Sequence, residues 1–290
     1  MITGRKLRAE TIAISARDRG IALSGNAVVD GVPASFTWTQ DFVDNPTKQG
    51  DLVSTLTLNQ TSLDAFNIAL PKGSFAGSTP ARFNVKLSPN KPASFKLTSD
   101  LKGAALAIDS LGWRKGKKAK GKMTVTGRLS TPMEVDNISI TTNDLTAKGK
   151  IILNKDGSFN TAQFPTVKIG KWLSTSVSLT GQGSDAITSL KGGRLDLRRL
   201  EIGGAGSGKA GPLNINLDQL RLTEDLSLTS FNAVIKRNGA PSGTFHARVN
   251  KGARISGQIS RGEKGAKITV TGKDAGAILK SAGFFDNIKG

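Results

Sequence analysis

The chain has 290 residues, 34 of them glycine, with 37% hydrophobic residues and a formal net charge of +19 from 41 Lys+Arg against 22 Asp+Glu. That length suffices for one large or two ordinary domains, and the low apolar content suits amphipathic strands better than fully buried parallel ones. The absence of cysteine excludes disulfides, thiolate metal sites and cysteine nucleophiles; one histidine and no tyrosine leave little for acid–base or triad chemistry.

Short runs of alternating apolar and polar residues, punctuated by glycine, fill the chain. Residues 11–16, 21–29 and 34–39 read as strands, the last two joined at Asp30-Gly31, where a glycine tolerates the positive φ of a tight turn. A loop follows over 44–51, then a strand over 52–58. Ser62–Ile68 reads as a short helix capped by Thr61 or Ser62 and stopped by Pro71. Strands resume at 81–87, 94–98 and 104–108. The basic segment Arg114–Lys122 separates these from strands at 123–129, 135–141 and 145–153, and Asn154-Lys155-Asp156-Gly157 reads as a turn. Strands at 158–164 and 173–180 lead to Gly181-Gln182-Gly183-Ser184. There a short helical turn over Asp185–Leu190 marks the best internal boundary, dividing the chain into 1–183 and 184–290, the second part continuing the same sheet. Further strands are predicted over 194–202, 213–222, 226–235, 243–250, 254–260 and 267–270. Within 226–235 the apolar phase slips from Leu226/Leu228 to Phe231/Ala233/Ile235, as a β-bulge requires. Asp274 caps a last helix over Ala275–Ala282, with Gly283 as its stop.

A period of two puts Leu213, Ile215 and Leu217 on one side of a strand and Asn214 and Asn216 on the other. Such a face is buried against a second sheet, by closure into a barrel, or against a hydrophobic ligand.

Three local patterns invite a chemical reading. Gly203–Lys209 fits the first seven positions of a phosphate-binding loop, and Gly206, Gly208 and Gly211 fit a dinucleotide fingerprint. Ala210 stands where the former needs a hydroxyl, and Gly211-Pro212 leads into a strand where both need a helix; the segment reads as a glycine loop. His246 alternates with Phe245, Ala247 and Val249 and falls on the polar side with Thr244 and Arg248, a solvated position. The basic run offers a docking site for anionic head groups through Arg114, Lys115, Lys117, Lys118, Lys120 and Lys122, on a loop between flanking strands. Nucleic acid is disfavoured as a partner because stacking aromatics are scarce, at 5% of the chain. No metal site or cofactor is read from the sequence. No stretch approaches a membrane span, and the basic N-terminal residues lack the apolar core of a signal peptide.

Asp100-Leu101-Lys102-Gly103-Ala104-Ala105-Leu106-Ala107-Ile108-Asp109-Ser110-Leu111-Gly112-Trp113-Arg114-Lys115 resembles a stretch of the YhdP-type AsmA-like proteins of Gram-negative bacteria. Gly192–Arg198 is similar to a strand opening in that group, and Asp274–Gly290 resembles the entry to its C-terminal region. The resemblance implies an internal fragment of a longer periplasmic protein, anchored in the inner membrane by a helix absent from this sequence. The alternating strands already make the fold all-β and mainly antiparallel with a few short helices; the resemblance implies that the sheet is strongly twisted and elongated, forming an open apolar groove that carries phospholipids between the membranes. The expected groove lining is Leu56, Leu58, Val125, Val177, Leu179, Leu213, Ile215, Leu217, Ile268 and Val270. Expected partners are phospholipids and an anionic membrane surface, and no catalytic residue is assigned. The alternative is a scaffolding β-sandwich of the cell envelope that closes its apolar face in a dry core and uses its positive charge to bind anionic partners, other envelope proteins among them.

Overall fold

The computed structural model describes residues 6–42, 49–66, 68, 70, 73–108, 113–156, 158–181, 186–199, 210–237, 241–262 and 265–283. These form two compact units. The first draws on Met1–Asp109, Trp113–Asn143 and Lys150–Ser158, and the second on Asp144–Gly149 and Phe159–Gly290.

The first unit contains β1 (Leu7–Arg17), β2 (Gly20–Val29), β3 (Val32–Asp41), β4 (Gly50–Leu58), α1 (Gln60–Ala65), β5 (Phe75–Gly77), β6 (Thr79–Ser88), β7 (Lys91–Ser99), β8 (Ala104–Ile108), β9 (Trp113–Lys115), β10 (Lys122–Arg128) and β11 (Glu134–Thr141). Its main sheet is antiparallel throughout, in the order β1-β2-β3-β4-β6-β7-β10-β11. Strands β5, β8 and β9 make a small sheet of their own. The strand β12 (Leu145–Leu153) is divided between the units.

The second unit holds β13 (Phe159–Ile169), β14 (Leu173–Thr180), β15 (Ile187–Asp196), a 3-10 turn at Leu197–Arg199, β16 (Ala210–Arg221), β17 (Ser227–Arg237), β18 (Ser242–Val249), β19 (Arg254–Gly262), β20 (Gly265–Thr271) and α2 (Ala275–Ser281). These strands pair in chain order, antiparallel except for the parallel pair β15–β16. Both sheets are open and twisted, and neither closes into a barrel.

Local chemistry explains the connections. Asp30 and Gly31 adopt φ of 49° and 86°, the paired left-handed conformation of a two-residue hairpin, so Val29 faces Val32. The phase slip in β17 is present: Ser230 takes φ 49° and the register with β18 shifts between Thr229 and Asn232. Asp274 caps α2 by accepting from the Ala277 amide at 2.9 Å, and Gly283 follows at φ 81°.

Several expectations are corrected. The N-cap of α1 is Asn59, because its side chain accepts from Ser62 N at 2.9 Å while Ser62 Oγ accepts from Asn59 N at 2.8 Å. That reciprocal box starts the helix two residues earlier than sequence suggested and ends it at Ala65. The helical turn expected over Asp185–Leu190 is strand from Ile187 onward, since Thr180 pairs with Ile187 in the β14–β15 hairpin. The boundary expected at 183/184 lies outside the described residues. The glycine run at 203–209 lies outside the described residues.

Replacing Asn59 with alanine removes one amide acceptor and one half of the box. The expected loss is about 1 kcal/mol of stability, read as a lowered urea midpoint with unchanged m-value.

Candidate functional site

Strand register gathers the apolar residues into rows, interrupted by a hydroxyl side chain only at Ser54 in the first unit and Thr188 in the second. In the first unit Ile12, Gly25, Phe36, Ser54, Phe83, Leu97, Val125 and Ile138 face one another in succession across eight strands. Beside them run Ile14, Leu23, Trp38, Leu52, Val85, Phe95, Gly127 and Val135. In the second unit one row reads Phe164, Val177, Leu190, Ile215, Ala233, Phe245, Gly257 and Val270. Its neighbour reads Ala162, Leu179, Thr188, Leu213, Ile235, Gly243, Ile259 and Ile268. Residues between the rows are polar: Ser24, Thr37, Asn84, Lys96, Thr126 and Asn137 occupy the opposite side of the first sheet, with Val53 the exception.

The ten residues expected to line a groove fall on two sheet faces. Leu56, Leu58 and Val125 share the apolar face of the first sheet; Val177, Leu179, Leu213, Ile215, Leu217, Ile268 and Val270 share that of the second. Sequence reading missed Phe36, Trp38, Phe83 and Phe95, although each sits at an alternating position. It also missed a pairing of glycine with aromatic rings. Gly127 faces Phe95 and Gly257 faces Phe245, and a β-carbon on either glycine would meet the opposing ring at 2.9 Å and 2.1 Å respectively. The ring occupies the vacancy, which keeps the face continuous.

Exposure varies along each face. Val85 and Phe95 in the first unit, and Leu217, Phe231 and Phe245 in the second, are buried, with ring centroids 5.6 Å apart in both the Phe83–Phe95 and Phe231–Phe245 pairs. At the outer strands the same rows are open to solvent: Ile12 is 46% exposed, Ile14 68%, Ile268 60% and Val270 51%. A second sheet packed over these faces would leave such side chains dry. The end of the first face at Leu58, Thr79, Ala81 and Ser99 is the exception and is buried. There Thr79 and Ser99 share a hydroxyl–hydroxyl bond of 2.9 Å, and Ser99 Oγ accepts from Leu101 N.

The basic run is split. Arg114 and Lys115 belong to β9, whose partner is β8, whereas Lys122 opens β10 between β7 and β11. A single hairpin loop is thus corrected to a connection between two sheets. Arg114, Lys117, Lys118, Lys120 and Lys122 are exposed, but Lys115 is buried. Its Nζ donates to the carbonyls of Leu101 at 2.6 Å, Ala104 at 2.8 Å and Gly116 at 3.3 Å. Leu101 lies at φ 56° and Gly103 at φ 91°, a turn whose inward carbonyls need a donor. Lys115 is withdrawn from head-group contact for that reason. Burial pulls its pKa below the ordinary 10.5, with Asp100 opposing. His246 sits on the polar face as expected, with Nδ1 3.0 Å from Ser256 Oγ.

Among the described residues no group of three His, Asp or Glu could hold a metal ion, and no helix is long and apolar enough to cross a membrane. No family model, curated protein or solved structure matches this chain.

Two outcomes follow from the burial pattern. Leu217→Ala opens a cavity in a dry region and should cost about 2–5 kcal/mol, while Ile268→Ala on the same face should cost under about 1 kcal/mol because its methyls are already wet; paired urea titrations read the contrast. Lys115→Met strands two buried carbonyls and should cost about 1–3 kcal/mol, whereas changing Lys117, Lys118 and Lys120 together to serine should leave the midpoint nearly unchanged. Because the folded chain binds the Lys115 proton less tightly than the unfolded chain, its contribution to stability rises with pH as that proton is lost below 10.5. Comparison with Lys115→Met over alkaline pH reads that slope.

Proposed function

We propose that this chain is a non-enzymatic lipid-binding segment of the YhdP-type AsmA-like kind. In this reading the apolar face of each sheet receives phospholipid acyl chains. The parent protein, anchored in the inner membrane, carries phospholipids across the periplasm. Support comes above all from one observation: apolar rows eight residues long end in exposed isoleucine and valine at β1 and β20. Monomeric proteins rarely leave a contiguous apolar patch larger than a few hundred Å², and an acyl chain is a natural cover for one.

The energetics suit carriage. Each buried methylene contributes roughly 0.8 kcal/mol, so an acyl chain is held by many equivalent contacts along a row and can slide by exchanging one set for the next. No position needs to be a specific anchor. The exposed Arg114, Lys117, Lys118, Lys120 and Lys122 supply contact with an anionic membrane surface, where each basic side chain is worth about 1 kcal/mol. A scaffold with a dry core would have no reason to leave Ile14 or Ile268 in water.

Native mass spectrometry of the purified chain should find co-purified phospholipid, and the chain should take up fluorescent phospholipid from vesicles. Ile268→Asp with Val270→Asp should lower uptake several-fold while far-UV circular dichroism stays unchanged. A chain that carries no lipid and takes up none rejects the reading.

A further inference from the structure

The polar face of the second sheet carries a constructed depression. Register irregularities fall in one band of adjacent strands: between Phe164 and Val167 in β13, between Ser174 and Ser176 in β14, and opposite the latter at Lys191–Arg194 in β15. Gly192 and Gly193 adopt φ of 68° and 74°, and a β-carbon on Gly193 would lie 1.9 Å from the Ser174 carbonyl oxygen. Only glycine fits there. The buried Thr175 hydroxyl donates to the Gly192 carbonyl at 2.8 Å and Ser176 Oγ donates to the Lys191 carbonyl at 2.9 Å, so carbonyls displaced by the bulge are satisfied internally. The result is a depression of about 260 Å³ whose lining includes Lys168, Lys191 and Ser174. Both lysines are exposed, and neither meets a carboxylate within ion-pair distance among the described residues.

A second cavity, of about 390 Å³, is lined by Asp218, whose Oδ2 accepts from the amide of Gly193 in the lining of the first (2.7 Å). Gln219, Thr229, Asn250 and Lys251 also line it. The two cavities differ in chemistry. The first offers two ammonium groups and a hydroxyl, which match a tetrahedral dianion. The second has a carboxylate that repels a second anion and accepts from hydroxyl donors, beside an amide that can do either.

We propose that this paired depression binds a phosphorylated carbohydrate, with the phosphate between Lys168 and Lys191 and the sugar hydroxyls toward Asp218 and Gln219. The site is on the face opposite the apolar rows and is independent of them. A soluble sugar phosphate and a lipid whose head group carries one share this chemistry, and the test separates the two sources.

Binding is measured on the full chain by calorimetry and by amide shifts of Gly192 and Gly193. Glucose 1-phosphate should bind at least threefold more tightly than inorganic phosphate, and glucose alone should move neither amide. Lys168→Gln with Lys191→Gln should weaken glucose 1-phosphate at least tenfold. Lys236→Gln with Lys267→Gln, which removes the same charge from the same face elsewhere, should change it less than twofold. Phosphatidylinositol 4-phosphate vesicles that shift the two amides, where phosphatidylcholine vesicles do not, identify a lipid source; a response to the soluble ester alone identifies a free one. Unmoved amides with every probe, equal weakening by the control pair, or phosphate binding as tightly as its sugar ester each overturn the proposal.

Discussion

Strand register is the constraint on which everything else in this protein rests. Each strand presents one apolar and one polar side, and a slip of one residue in any ladder would exchange them. Because each ladder keeps its faces, restoring the phase past every bulge, Ile12 in β1 and Ile138 in β11 end in the same row although 126 positions separate them. The rows are a collective property: no single contact makes them, and the cost of breaking one is spread over its neighbours.

The two faces of the second sheet put the same backbone to different uses. On the apolar side the rows run from β13 to β20, smoothed where Phe245 covers Gly257. On the polar side the band of bulges interrupts regular pairing and opens cavities beside Lys168, Lys191 and Asp218. A bulge adds a residue to one strand and bends it locally. Alternation resumes beyond the band with its phase adjusted, as Leu217 to Leu220 in β16 and Phe231 to Leu228 in β17 illustrate, so the apolar face is kept while the polar face gains relief.

The buried end of the first sheet shows a different economy. Turn residues 101–104 direct carbonyls inward, and Lys115 reaches them from β9. A lysine is suited to this because its three N–H groups can serve three separate carbonyls. The desolvation that lowers its pKa is offset by those bonds and by the field of Asp100.

Alternation determined a great deal by itself: the all-β class, most strand positions, the polar placement of His246, the bulge in β17 and the membership of all ten expected lining residues in the apolar faces. These are legible because side-chain direction in a strand depends only on a local period of two. The helix α2 was equally legible, since Asp274 and Gly283 act on their immediate neighbours. What tertiary structure alone decided is whatever depends on which strands meet. Lys115 reads as one more member of a basic run until β9 pairs with β8 and turns it toward Leu101. The parallel pairing of β15 with β16 and the juxtaposition of Gly193 with Asp218 likewise join residues 25 apart, through a register that no local pattern encodes. Openness is decided there too: alternation gives Ile268 an apolar side, but only the absence of a covering layer leaves it in water.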